Sequence, residues 1–324
     1  MRSIKLPSWI EGLLGLAPVG VPPHVFSLER DRLAYARFHP DARGLELREH
    51  LAVELDPGLF PDGPLAGAPR DRERLVEAVG ALLDAAATTV REASLVLPDE
   101  WLRVAFADAT DVPPRGAQRD EVIRFKLRRL APFRVEELRV SAAAAPGLET
   151  ADGEPRMILG FSSEDLLAEV EDAFVERGVR LGQVSNQSLA LLSALATALG
   201  STEAAVVVHA TTNSYCLIVT RRGRPVLHRH KMEAGGDAGA PDLVTRDLRL
   251  TERFVTQRMG ARLDEVVFVG PVAAEAAWER ALNDAFDAPV RSLAREWGEV
   301  PGTVAGVTVD EAAVLLGAAS RRIA

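Results

Sequence analysis

Cysteine is nearly missing from this 324-residue chain: Cys216 is the only one, so no intramolecular disulfide can form and a disulfide-stapled fold is excluded. Long apolar runs are missing as well. No window approaches the ~18 consecutive apolar residues of a membrane-spanning helix. The strongest candidate, residues 189–199, is alanine-rich, broken by Ser193 and Thr197, and long enough only for a buried helix. The first twenty residues lack both an uninterrupted apolar core and an export-type cleavage site, which predicts a cytoplasmic protein. Positive charge is in deficit, with 38 Lys and Arg against 47 Asp and Glu, so a net charge of −9 repels phosphate backbones and no nucleic-acid partner is expected. Catalytic signatures are also wanting. The chain holds no nucleophile elbow, Walker loop or HExxH, and no carboxylates paired at a recognisable spacing.

What is present is an ordinary globular composition, 47% hydrophobic and 26% charged, over a length that predicts about two domains. Between His24 and Leu55 apolar and polar residues alternate across turns at 29–32 and 40–44, which reads as a three-stranded meander. After a Pro/Gly-rich loop, Leu75, Val76, Val79, Leu82 and Leu83 recur at helical spacing. Short strands follow at 94–97 and 101–106, then a helix stripe of Ile123, Leu127 and Leu130 ended by Pro132, then strands at 138–143 and 157–161 separated by a soft stretch at 146–155. A helix is capped at Ser162 or Ser163. Strands at 204–208, 215–220 and 225–230 repeat the opening meander. A helix over 242–259, a strand at 265–269, a helix at 273–286, a strand at 290–293 and a last helix at 310–321 complete the second half. Meander-plus-helices occurring twice predicts an α/β, two-lobed actin-like fold of the ribonuclease-H type. The expected division is an N-terminal segment 1–23, a first lobe 24–187 with a small subdomain inserted at about 94–145, and a second lobe 188–324.

Three segments then carry a family resemblance: ASLVLPDEWLRV at 93–104, EVIRFKLRRLAPFRVEELRVSA at 121–142, and the strand–helix–Gly–strand run at 156–195. In order and spacing they resemble the PilM family, actin-like cytoplasmic proteins of type IV pilus assembly that are similar to FtsA, and the register extends from about His24 to Ala319. The resemblance implies a non-catalytic scaffold of the inner-membrane platform. Its implied partner is a PilN-like bitopic inner-membrane protein, bound through its short N-terminal cytoplasmic tail in a cleft between the first lobe and its insertion, alongside other platform proteins. The chain would then be cytoplasmic and held peripherally at the inner membrane. Leu95, Val96 and Leu97, with Phe125, Arg129 and Phe133, are the expected neighbours of that peptide groove.

An actin-like cleft implies two Asp-x-Gly-Ser/Thr turns, in which glycine admits backbone N–H groups to phosphate and the aspartate serves magnesium. Both turns are altered. Ser27 to Asp31 offers acids but no glycine, and His209 to Asn213 offers neither. Gly235 and Gly236 match the family's Gly-Gly after the third strand of the second lobe, and Gly270 matches the start of its adenosine loop, although Pro271 removes the next backbone donor. Those three glycines are either turn residues or remnants of a nucleotide site. The reading requires no cofactor and assigns no catalytic residue, with ATP binding as the alternative.

Other candidates compete with plainer readings. His228 and His230 share a face at period two and His209 lies on a neighbouring strand, yet the spacing defines no third ligand and Cys216 sits within an apolar run, so no metal is assigned. Arg124, Lys126, Arg128, Arg129 and Arg134 form either a docking patch or a solvated face paired with Glu136 and Glu137. Ile4, Leu6, Trp9, Ile10, Leu13 and Leu14 form an amphipathic segment for a membrane surface, a partner or the protein's own body. Two rival functions remain: an ATPase or kinase using Glu29 or Asp31 at a metal, and a type II secretion platform subunit similar to the cytoplasmic part of GspL. The second normally continues into a membrane helix, whereas this sequence ends at Ala324.

Overall fold

The computed structural model describes residues 22–41, 44–63, 65–114, 116–131, 133–149, 155–232, 241–298, 304 and 306–320. The amphipathic segment with Ile4 to Leu14 lies outside the described residues.

Strands β1 (His24–Leu28), β2 (Arg32–Asp41) and β3 (Gly44–Glu54) form the predicted meander, and β4 (Glu92–Leu97) and β8 (Arg180–Asn186) join β1 in parallel, giving the order β3-β2-β1-β4-β8. The second half repeats this arrangement with β9 (Ala204–Ala210), β10 (Ser214–Arg221), β11 (Arg224–Met232), β12 (Glu265–Val269) and β13 (Val290–Ser292). Their order is β11-β10-β9-β12-β13, again with three antiparallel strands and two parallel additions. A third sheet, β5 (Arg103–Asp108), β7 (Pro155–Ser163) and β6 (Leu138–Glu149), has β7 in the middle.

Period-two alternation sorts the side chains into layers. On the first sheet Phe26, Leu28, Leu95 and Leu97 face outward onto helices α1 (Arg72–Ala85) and α3 (Glu164–Glu176), while Val25, Ala36 and Val96 face inward. On the second sheet Val206, Val208 and Leu217 face out onto α5 (Pro241–Arg253) and α6 (Glu275–Ala285). Between the sheets lie α4 (Gln187–Leu199) and, after the short α7 (Leu293–Trp297), α8 (Val309–Ala318), which share one core with the inner faces of both. Helices α1, α3 and α4 are capped locally. Asp71 accepts from the Arg74 amide at 3.3 Å, Ser163 from Leu166 at 3.4 Å and Asn186 from Leu189 at 3.0 Å, so each helix begins at the residue whose side chain satisfies a first-turn N–H.

Three readings differ from the sequence expectation. The insertion is not 94–145: Ser94 pairs within the first sheet, in register with Val25 and Gln183, and the small sheet spans 103–163. The soft stretch read as a separator instead joins the β6–β7 hairpin, where Glu149 pairs with Pro155, and Met157, Leu159 and Phe161 face the packing helix of the small sheet, α2 (Ala117–Leu127). The helix expected over 242–259 is α-helical only to Arg253 and continues as a π-turn over Phe254–Arg258, with Met259 N donating to Phe254 O at 3.1 Å. A π-turn keeps the apolar spacing nearly helical, so sequence periodicity does not distinguish it.

Candidate functional site

The β1–β2 and β9–β10 hairpin turns face each other across the interlobe cleft, as the actin-like reading requires. Glu29, at the end of β1, accepts a hydrogen bond of 2.9 Å from Gln187 Nε2 at the start of α4. On one side lies a cavity of about 180 Å³ lined by residues including Ser27, Glu29, Arg32, Thr211 and Glu311. On the other lies one of about 310 Å³ that includes Asp31, Glu100 and Asn213. Burial pushes the Glu29 carboxyl up, and the Glu311 charge adds to the effect. For Glu311, burial acts in the same direction but is outweighed by His50 and Arg32, each hydrogen-bonded to Oε1 at 2.9 and 2.8 Å, so its carboxyl lies below the usual range. Arg32 is thereby neutralised.

These residues are a poor match for a magnesium triphosphate. Neither hairpin turn contains glycine, so no bare backbone faces the cleft there. The Thr211 hydroxyl is committed to its own turn, 2.9 Å from Ser214 Oγ and 3.1 Å from the Ser214 amide. Asp310 and Glu311 place carboxylates where phosphate oxygens would lie. Gly270 has a packing reason: a Cβ there would sit 3.0 Å from the Ala210 carbonyl oxygen and 3.0 Å from the Phe268 ring, so glycine lets the end of β12 pass β9. Gly235 and Gly236 lie outside the described residues.

A second concavity, of about 340 Å³, opens where the inserted sheet meets the first lobe. One face of that sheet is covered by α2 through Ile123 and Leu127 against Leu138, Leu159 and Phe161. On the opposite face the cross-strand pairs Arg139/Ser162, Ser141/Gly160 and Ala143/Ile158 carry mostly small side chains, which leave a depression across from Leu167, Gln183 and Val184 of α3 and β8. Among the described residues both flanking strands, β6 and β8, are sheet edges and so present main-chain groups without a ladder partner on that side. Arg139 closes one end, bound to Glu164 at 3.1 Å and to Glu171 at 2.6 Å.

None of the six groove residues expected from the sequence lines this concavity. Leu95, Val96 and Leu97 are fully buried in β4, which is flanked by β1 and β8, so no ligand reaches them. A buried parallel strand and a groove wall both read as short apolar runs, and this one is the former. Phe125 is exposed on α2 beneath the Arg129 guanidinium, 5.7 Å from its ring centroid, and Phe133 lines a different cavity, of about 440 Å³, between β5 and β11. The basic patch is largely paired internally. Arg128 binds Glu136, Lys126 binds Asp108, Arg134 reaches Glu137 at 3.3 Å and Arg124 donates to the Leu138 carbonyl at 3.0 Å. The groove escaped sequence reading because its walls come from residues about 40 apart in the chain; the one local signal was the alternation of small residues in Ser141 and Ala143. His209, His228 and His230 share the inner face of the second sheet with Cys216, which pairs in register with both His209 and His230.

No protein-family model and no curated protein matches the sequence. Solved structures do match. A chain of a PilM–PilN type IV pilus biogenesis complex is 17% identical, with 92% of this chain and 98% of that one aligned at a TM-score of 0.69. A Bacteroides thetaiotaomicron protein of actin-like ATPase fold and unknown function is 10% identical, with 91% and 96% of the two chains aligned at a TM-score of 0.54. At these identities the likeness speaks for the fold, and it agrees with the duplicated strand order and the paired hairpins at the cleft: the chain has the two-lobed actin-like fold.

Proposed function

We propose that this protein is a PilM-like scaffold of a type IV pilus assembly platform that binds an extended segment of a PilN-like membrane protein in the groove between β6 and β8. The observation that carries the reading is the groove itself: a mostly apolar slot between two unpaired strand edges, at the junction of the first lobe and its inserted sheet. Such a slot suits an extended peptide, with edge N–H and C=O groups supplying backbone hydrogen bonds and the Ser141, Ala143 and Gly160 depression accepting side chains. The likeness to a chain of a PilM–PilN complex supports a partner of that kind. On this reading the partner is the short N-terminal cytoplasmic tail of a bitopic inner-membrane protein, and it holds the scaffold at the cytoplasmic face. The acidic, glycine-free cleft turns support a role without nucleotide turnover.

The test is a fluorescence-anisotropy titration of the full chain with the labelled N-terminal tail of a PilN-like protein from the same genome. Ala143 is exposed, so Ala143→Trp fills the slot without disturbing the core. The expected result is saturable binding that weakens at least tenfold in Ala143→Trp at unchanged melting temperature. Equal binding by both proteins, or tight magnesium-dependent ATP binding with no peptide affinity, overturns the reading.

A further inference from the structure

We propose that Asp99, Cys216 and His228 form a closed site for a zinc-type divalent cation that ties the two lobes together. Asp99 follows β4 in the first lobe, whereas Cys216 and His228 belong to β10 and β11 of the second. Cys216 Sγ lies 3.2 Å from His228 Nε2, which lies 3.8 Å from Asp99 Oδ1, and the three ligand atoms are all within 4.8 Å of one another. Tetrahedral zinc with bonds of about 2.0–2.3 Å sets its ligand atoms about 3.3–3.6 Å apart, so the three side chains already stand near coordination spacing. Thiolate, imidazole and carboxylate are a donor set that suits zinc. The fourth corner falls to Ser188 Oγ at the start of α4, which is 2.8 Å from His228 Nε2 and hydrogen-bonded to Asp99.

Two further observations point to a cation. Asp99 is 3% exposed, and among the described ion pairs its carboxylate faces only the imidazoles of His209 and His228, each at 3.8 Å; a buried carboxylate that no permanent cation offsets is costly. His209, opposite Cys216 on β9 and 4% exposed, has a buried Nδ1 with no hydrogen-bond partner among the described residues, 3.8 Å from Asp99 Oδ2. That nitrogen is placed to support the ligating carboxylate from its far side, as outer-shell groups do in metal sites. Sequence reading rejected a metal because the histidine strands supply no third ligand. The third ligand is Asp99, which folding brings from more than 100 residues upstream. On binding, Cys216 forms an S–metal bond and its thiol proton leaves to solvent. The side chains of His228 and Asp99 are 2% and 4% exposed and Cys216 is buried, which suits a structural ion held by protein ligands.

The test uses the full chain stripped with a chelator, then titrated separately with zinc and with cobalt. Expected are one equivalent of tightly bound zinc, a melting temperature raised by several degrees, and a thiolate-to-cobalt charge-transfer band. Cys216→Ser removes the band, and Cys216→Ser and His228→Gln each weaken zinc at least tenfold, whereas His39→Gln, at an exposed position, changes nothing. Absence of stoichiometric zinc, or wild-type zinc affinity in the folded Cys216→Ser protein, overturns the proposal. Should both variants misfold, the wild-type cobalt spectrum decides: a band supports the site and its absence overturns it.

Discussion

Gly317 of α8 lies against the main chain of α4 so closely that a Cβ on it would overlap the carbonyl of Ala190. Backbone cannot yield as a flexible side-chain tip can, so the two interlobe helices cross at this distance only because the residue is glycine. Gly317→Ala should therefore lower stability by about 3 kcal/mol, the upper part of the usual overpacking range. Urea unfolding followed by circular dichroism checks this; a midpoint equal to wild type would mean that the helices separate at no cost.

Glu29 carries a carboxyl whose pKa is raised chiefly by burial, so the folded state favours its neutral form. Ionising it therefore costs stability above its unfolded pKa, and the cost grows until pH passes the raised folded value. Glu29→Gln keeps an oxygen to accept from Gln187 while removing that charge. Thermal melts should show the variant more stable at pH 7, with the advantage gone near pH 4, where the wild-type group is protonated in both states.

Glu311 behaves with the opposite sign. Burial opposes its ionisation, but His50 and Arg32 outweigh it and depress its pKa, so the stability it adds is present above its unfolded pKa and lost as pH falls through the folded one. Glu311→Gln should cost about 2 kcal/mol at neutral pH, the range for hydrogen bonds to charged groups. As pH falls through the depressed folded value the difference from wild type should close, which parallel denaturant titrations at neutral and at strongly acidic pH would reveal.

Peptide binding in the β6–β8 groove should depend little on salt. Among the described residues Arg139 is the one cation lining it, and it is already paired with Glu164 and Glu171, leaving mostly apolar contacts. Affinity should change less than about twofold between roughly 0.05 and 0.5 M NaCl, whereas charge-driven docking would lose far more across the same range. Anisotropy at both ionic strengths separates the two.

Much of this architecture is legible in the residues. Alternation in 24–55 and 204–230 marks both meanders, because each strand there has a distinct inner and outer face. Local chemistry sets α3, where Ser163 is the cap and Ser162 is buried in β7. What sequence alone hides is whatever depends on long-range pairing. Leu95 to Leu97 look like a groove wall until β8 is known to pair beside them, and Met157 to Phe161 look like a lobe strand until Leu138 to Ala145 pair with them. Asp99 is the plainest case. Two acids following six buried positions signal something unusual, but only the folded chain brings Cys216 and His228 to meet Asp99.

Helix α8, though near the end of the chain, packs on β1, β3 and β4 at its beginning, and Glu311 fastens it there through Arg32 and His50. During synthesis, the inward side of the opening sheet, with Val25, Ala36 and Val96, must wait for this helix. At ribosomal speeds of about 5–20 residues per second the wait is roughly 10 to 45 seconds. Over that interval an unfinished apolar face stands open to solvent, the kind of surface that a nascent-chain chaperone binds.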